Sequence, residues 1–159
     1  MMIEQPYENG DIVFHAELAA EITTPICLDE SIHNMHEARS AVALGACRIV
    51  NIKPPRIGGT TAVQQMEAFL RSHQIPAWCG GMLEAGIGRA VNIACASLEG
   101  FCLPGDLAAP LTYLEHDIVS EKFNLLGDGT LKVPAKTGIG MEVDEEYLSY
   151  CTTRLKVFS

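Results

Sequence analysis

Glu4, Asp29 and Lys53 each close a short apolar run, "MMI", "PICL" and "RIVNI". A charge at the end of a buried strand needs a partner, because removing an isolated ion from water is expensive. Neighbouring strands lie about 5 Å apart. Glu4 and Asp29, at equivalent heights on adjacent strands, would therefore bring two carboxylates together. Unpaired, they would repel. A bound divalent cation removes the conflict, and an all-oxygen donor set selects a hard ion, Mg²⁺ or Mn²⁺ in its place. Lys53 would stand one strand further round. A lysine partly desolvated near a metal gives up its proton more readily, and a neutral lysine is a competent general base. Beside a metal that holds a carboxylate oxygen, such a base is arranged for one chemistry. It removes the proton alpha to the carboxylate, and the metal stabilises the enediolate that forms. The alternative for either carboxylate alone is a solvated side chain at a loop start. For Lys53 it is a structural salt bridge to Asp29 or Glu30.

The elements that must position these residues follow from their spacing. The apolar runs end at Glu4, Asp29, Lys53, Gly80 and Gly105, at intervals of 25, 24, 27 and 25 residues. That interval fits one strand, one helix and two short loops. "DIVFHAELAAEI" fills the first gap with a helix. "HNMHEARSAVALGA" has apolar residues at helical spacing, with Asn34 as cap and Gly45 near its end. "TTAVQQMEAFLRSH" predicts a third helix capped by Thr60 or Thr61, and a fourth is predicted from about Gly88 to Leu98. The strand runs are almost continuously apolar, as in a parallel sheet covered on both faces. Alternation of this kind gives βαβ units. An open nucleotide-binding sheet would carry G-x-G-x-x-G after its first strand, and "GGMLEAGIGRA" lacks that spacing. Charged residues at three successive strand ends favour a barrel, whose strand ends face one pocket. Pro54 and Pro55 are expected to stiffen the loop leaving Lys53, and Trp78 to pack against the helical layer.

The chain has 159 residues and a formal net charge of -9. Its length suits one domain, and its acidity argues against nucleic acid as a partner, since phosphate binding needs clustered cations. No apolar run is long enough to span a membrane, and the N-terminus lacks the features of a signal peptide. The cysteines form no C-x-x-C pair and sit mostly in apolar runs, as buried small hydrophobes in a reducing, cytoplasmic compartment would.

The segments "MIEQP", "PICLDES", "VNIKPPRIGG", "WCGGMLEAGIGRA" and "LPGD" lie in the order and spacing of the enolase superfamily. The sequence resembles most the o-succinylbenzoate synthase and N-succinylamino acid (N-acylamino acid) racemase group. The resemblance implies an α/β fold, the C-terminal part of a (β/α) barrel from roughly its fourth strand onward. Residues 1–118 would form this part, and residues 119–159 a C-terminal segment that in the family returns to a capping domain. There "GIGMEV" would be a turn followed by a strand. The resemblance also implies roles. Glu4 and Asp29 would be two of three metal ligands. Lys53 would be the acid/base lysine on one face of a small carboxylate substrate. Gly81, Met82 and Leu83 would contact its acyl part, and Asn51 would line the pocket. Glu30 is expected to support the ligands rather than bind the metal. Asp106 is a candidate pocket residue, and Arg89 a structural one.

The sequence also departs from the family's pattern. Family members are more than twice as long, and carry a K-x-K lysine and a further aspartate ligand on earlier strands. Neither is found here. The chain is therefore expected to be the C-terminal half of such an enzyme. Alone it should bind Mg²⁺ weakly and lack useful turnover. It should self-associate or need the missing N-terminal half, because an unpaired edge strand invites pairing.

Overall fold

A computed structural model describes residues 1–157. Strands β1 (Ile3–Glu4), β2 (Ile26–Leu28), β3 (Ile49–Ile52) and β4 (Ala77–Cys79) form one sheet in the order β1-β2-β3-β4. Every neighbouring pair is parallel. The chain thus steps over by one strand at each turn, as in a barrel wall. A doubly wound sheet would reverse direction at a switch point. Helices α1 (Ile12–Glu21), α2 (Met35–Leu44), α3 (Pro54–Ile57), α4 (Thr60–Ser72) and α5 (Gly86–Ala96) lie between and after the strands.

Strand parity divides the wall into two faces. Ile26, Leu28, Val50, Ile52 and Ala77 point outward and pack with Ala38, Ala41, Val63, Met66 and Leu70 of the helices. Each fully buried Leu or Ile contributes about 1.5–3 kcal/mol, so this outer layer holds the wall together. Cys27, Ile49 and Trp78 point inward and cluster with Met2 and Leu103. Trp78 therefore packs on the inside of the wall and not against the helices. Its neighbours Ala77 and Cys79 take the outward positions of β4, and its indole N–H donates to the Cys27 sulfur at 3.3 Å.

Two helix ends match the sequence reading. The Asn34 side chain accepts from the amides of His36 (2.9 Å) and Glu37 (3.1 Å), and Gly45 ends α2 in the left-handed conformation, φ 68°. Others differ. The cap of α4 is Gly59, and Thr60 is already helical. Consecutive left-handed glycines, Gly58 (φ 100°) and Gly59 (φ 94°), separate α3 from α4. Pro54 and Pro55 open α3 instead of stiffening a loop, because proline suits the first turn of a helix. Helix α5 starts at Gly86, two residues before its predicted start.

The run "GFCLP" does not form a full strand. It continues the wall through single parallel bridges, Ala77 to Phe101 and Gly80 to Asp106. Beyond it, residues 119–157 hold antiparallel bridges, Val119 to Val143 and Leu125 to Leu131, and helix α6 (Glu145–Cys151). The turn in "GIGMEV" is present, with Gly138 and Gly140 left-handed. The strand after it reduces to the Val143 bridge. At the other end, β1 has one neighbour among the described residues, and both its residues are exposed. Among the described residues no helix is long and apolar enough to cross a membrane.

Candidate active site

Parity carries the inward positions up to the C-terminal ends of the strands, where they turn polar. Glu4, Asp29, Asn51, Lys53, Gly80 and Asp106 share an open basin of about 480 Å³. The residues that end the first four runs are thus brought to one place, with Asp106 in the position next to Gly105.

Asp29 is the most heavily engaged group. Its carboxylate is 6% exposed. Lys53 Nζ donates to Oδ2 at 2.7 Å, and Arg56 donates from a terminal nitrogen to Oδ1. The salt bridge that was the alternative reading of Lys53 is therefore present. Sequence reasoning missed Arg56. It stands three residues after Lys53 on α3, and that helical offset returns it to the same side. Its other nitrogens donate to the carbonyls of Ile32 and Asn51, each at 2.8 Å, so the guanidinium ties the ends of β2 and β3 together.

Glu4 accepts from Asn51 Nδ2 at 2.9 Å through one oxygen. Gln5, also missed, is held at φ 39° and clamps the loops after β1 and β2. Its Oε1 accepts from the amides of Asp29 (3.0 Å) and Ser31 (3.2 Å), while Nε2 donates to Ser31 Oγ at 2.7 Å. A positive φ is uncommon outside glycine, and these bonds hold it in place. Buried His15 braces the same loop by accepting from the Tyr7 amide at 3.3 Å. Below the basin, burial pushes the Cys27 thiol up to about 12, and the Glu4 and Asp29 carboxylates add to the effect. That thiol is neutral at physiological pH and is no nucleophile.

The residues expected to contact an acyl group lie elsewhere. Gly80 lines the basin, whereas Gly81, Met82 and Leu83 do not. Met82 is 53% and Leu83 81% exposed. Their segment rests on a buried ion pair, Arg89 to Glu84 at 3.0 Å, so Arg89 is structural as expected. Glu30 stands exposed on the basin's edge, and Asp106 is beside Gly80.

The donor chemistry of the basin fits a hard cation. Glu4 and Asp29 face it together, and the lining holds no thiolate or imidazole. Among the described residues no three His, Cys, Asp or Glu side chains converge into a cluster able to hold a metal. Glu4 and Asp29 are the two strand-end carboxylates that the chain supplies, with Glu30 and Asp106 also on the lining.

Comparison with known proteins identifies the family. The profile of the enolase C-terminal domain-like family matches residues 1–147. The chain is 47% identical to the o-succinylbenzoate synthase of Geobacillus kaustophilus, over 99% of this chain and 42% of that protein. It is 49% identical to the N-succinylamino acid racemase of an Amycolatopsis species, over 96% of this chain and 41% of that one. The structure of an enolase-superfamily member from Listeria innocua superposes with a TM-score of 0.88 at 42% identity, over 94% of this chain and 40% of that one. The chain thus spans about two fifths of the length of the relatives it matches. With a family profile that covers most of its residues, the chain belongs to the enolase C-terminal domain-like family.

Proposed function

We propose that the chain forms the C-terminal wall of a barrel enzyme that removes the proton alpha to a carboxylate. The reaction is that of an o-succinylbenzoate synthase, an N-succinylamino acid racemase, or both. One observation carries the reading: Glu4, Asp29 and Lys53, from three successive strand ends, meet in one basin. Relatives with these two activities match the chain at 47% and 49% identity.

Glu4 and Asp29 are the candidate holders of Mg²⁺ or Mn²⁺, which would supply positive charge where a substrate carboxylate gains negative charge. Lys53 takes the alpha proton on Nζ, and the C–H electron pair moves into the carboxyl group. In the synthase the electron pair then returns to form the carbon–carbon double bond, the C–O bond on the neighbouring carbon breaks, and the hydroxyl takes up a proton and departs as water. In the racemase a proton returns to the opposite face. Arg56 and Asp29 fix where Lys53 can reach. Lys53 is the one lysine that lines the basin among the described residues, so it serves one face of the substrate. The opposite face is assigned to the barrel strands that would stand beside the free edge of β1. The exposed edge of β1, with Val13 and Phe14 exposed on α1, supports that assignment.

The test mixes the chain with an N-terminal polypeptide of the Geobacillus kaustophilus relative. Synthase and racemase turnover are then measured with Mg²⁺. The chain alone should give no useful turnover and should sediment as more than a monomer. The mixture should turn over, and Lys53→Ala should remove that activity by roughly 10²–10⁴-fold. Turnover that survives Lys53→Ala refutes the mechanism. Robust turnover by the chain alone refutes the need for a partner.

A further inference from the structure

Asn51 lines the basin, and its side chain is engaged along the floor. It is 1% exposed. Nδ2 donates to Glu4 Oε1 at 2.9 Å, and Oδ1 is buried without a hydrogen-bond partner. Buried amide oxygens are normally paired. Here the orientation is dictated from the other end, because a flipped amide would set its oxygen against the Glu4 carboxylate. Gly80 explains where the unpartnered oxygen goes. A Cβ at Gly80 would lie 2.2 Å from Asn51 Oδ1, 2.8 Å from Nδ2 and 2.9 Å from Cγ. Gly80 does not have the left-handed backbone that calls for glycine. Its missing side chain is the recess that the Asn51 amide occupies.

We infer that Asn51 and Gly80 are positioning residues for Glu4. The amide of Asn51, lodged over Gly80 just after β4, reaches across the wall to β1 and fixes one oxygen of the Glu4 carboxylate. The other oxygen is left for a divalent cation. In this reading both act through Glu4. The inference rests on the reading of Glu4 as a cation ligand, and the experiment separates the two.

Mn²⁺ binding to the full 159-residue chain is followed by the loss of the free-ion electron paramagnetic resonance signal. The proteins are wild type, Glu4→Gln, Asn51→Ala, Gly80→Ala and the Asn51→Ala/Gly80→Ala double variant, each checked for fold by circular dichroism. Groups that orient a metal ligand typically change affinity about 10–100-fold. Asn51→Ala and Gly80→Ala should each weaken binding to that extent, the second because its Cβ evicts the amide. The double variant should bind no more weakly than Asn51→Ala, since a truncated side chain leaves the Cβ room. Should Gly80→Ala fail to fold, Asn51→Ala in the same chain should restore folding, and lack of rescue overturns the packing argument. If Glu4→Gln abolishes binding while Asn51→Ala leaves it unchanged, the inference falls and the ligand reading stands. If wild type shows no saturable binding, or Glu4→Gln has no effect, the ligand reading falls and takes the inference with it.

Discussion

The ion pair beneath the Gly81–Glu84 segment gives an asymmetric prediction. Arg89 is 1% exposed at its side chain and Glu84 11%. The Arg89 guanidinium bonds the Glu84 carboxylate at 3.0 Å, the Met82 carbonyl at 2.9 Å and the Tyr113 hydroxyl at 3.3 Å. Its Nε and second terminal nitrogen have no partner. Glu84 is better served, because it also accepts from the Met82 amide and from Asn92 Nδ2, each at 2.8 Å. Removing Glu84 strands a buried cation, whereas removing Arg89 leaves a carboxylate with two donors and some water.

Glu84→Leu should therefore destabilise the chain by about 3–5 kcal/mol, the usual result of breaking a buried pair from one side. Arg89→Met removes two unpaired donors along with the charge, and methionine fills much of the space. Its cost should be nearer 1–2 kcal/mol, about that of the lost hydrogen bonds. Urea unfolding at pH 7 measures both. Protein concentration is held fixed, because self-association contributes to apparent stability. With a slope of about 1–3 kcal/mol per molar urea, Glu84→Leu should lower the midpoint by 1 M or more. A larger loss for Arg89→Met than for Glu84→Leu would refute the reasoning, since it would mean that the carboxylate depends on the arginine and not the reverse.

Three further outcomes follow from burial and capping. Cys102 and Cys151 are exposed and Cys27, Cys47, Cys79 and Cys95 buried, so a disulfide reagent at pH 8 should label two thiols quickly and the rest only on denaturation. Burial pushes Cys27, Cys47 and Cys79 up to about 12 from an ordinary 9.0. Below pH 9 their contribution is complete. From 9 to 12 the unfolded chain loses protons that the folded chain keeps, and stability should fall by about 1.4 kcal/mol per pH unit per thiol. A urea midpoint that stays level from pH 9 to 10.5 would count against that. Asn34→Ala removes two cap hydrogen bonds from α2 and should cost about 1 kcal/mol in the same assay.

The strand ends were legible because strand, helix and loop lengths repeat, and that repetition survives in sequence as a spacing. Face was legible too, though less visibly. Trp78 stands two residues before Gly80, as Asn51 stands before Lys53. Strand side chains alternate with a period of two, so any strand whose end faces the basin must also turn that earlier residue inward. The indole belonged on the inside by the same rule that placed Lys53. Direction within a face was not legible. Nothing near Asn51 in sequence says that its amide lies along the floor, because the partner that orients it is 47 residues away and the recess that admits it follows β4. Arg56 falls between the two cases: its offset from Lys53 is local, but only a helix opened by Pro54 and Pro55 converts that offset into a grip on Asp29. Spacing therefore identifies which residues meet, while the hydrogen bonds that aim them are set by side chains distant in sequence. The Lys53–Asp29 contact shows the consequence. A salt bridge and a catalytic pair need the same two residues at the same strand ends, and what separates the two readings is the aim of Glu4 beside them.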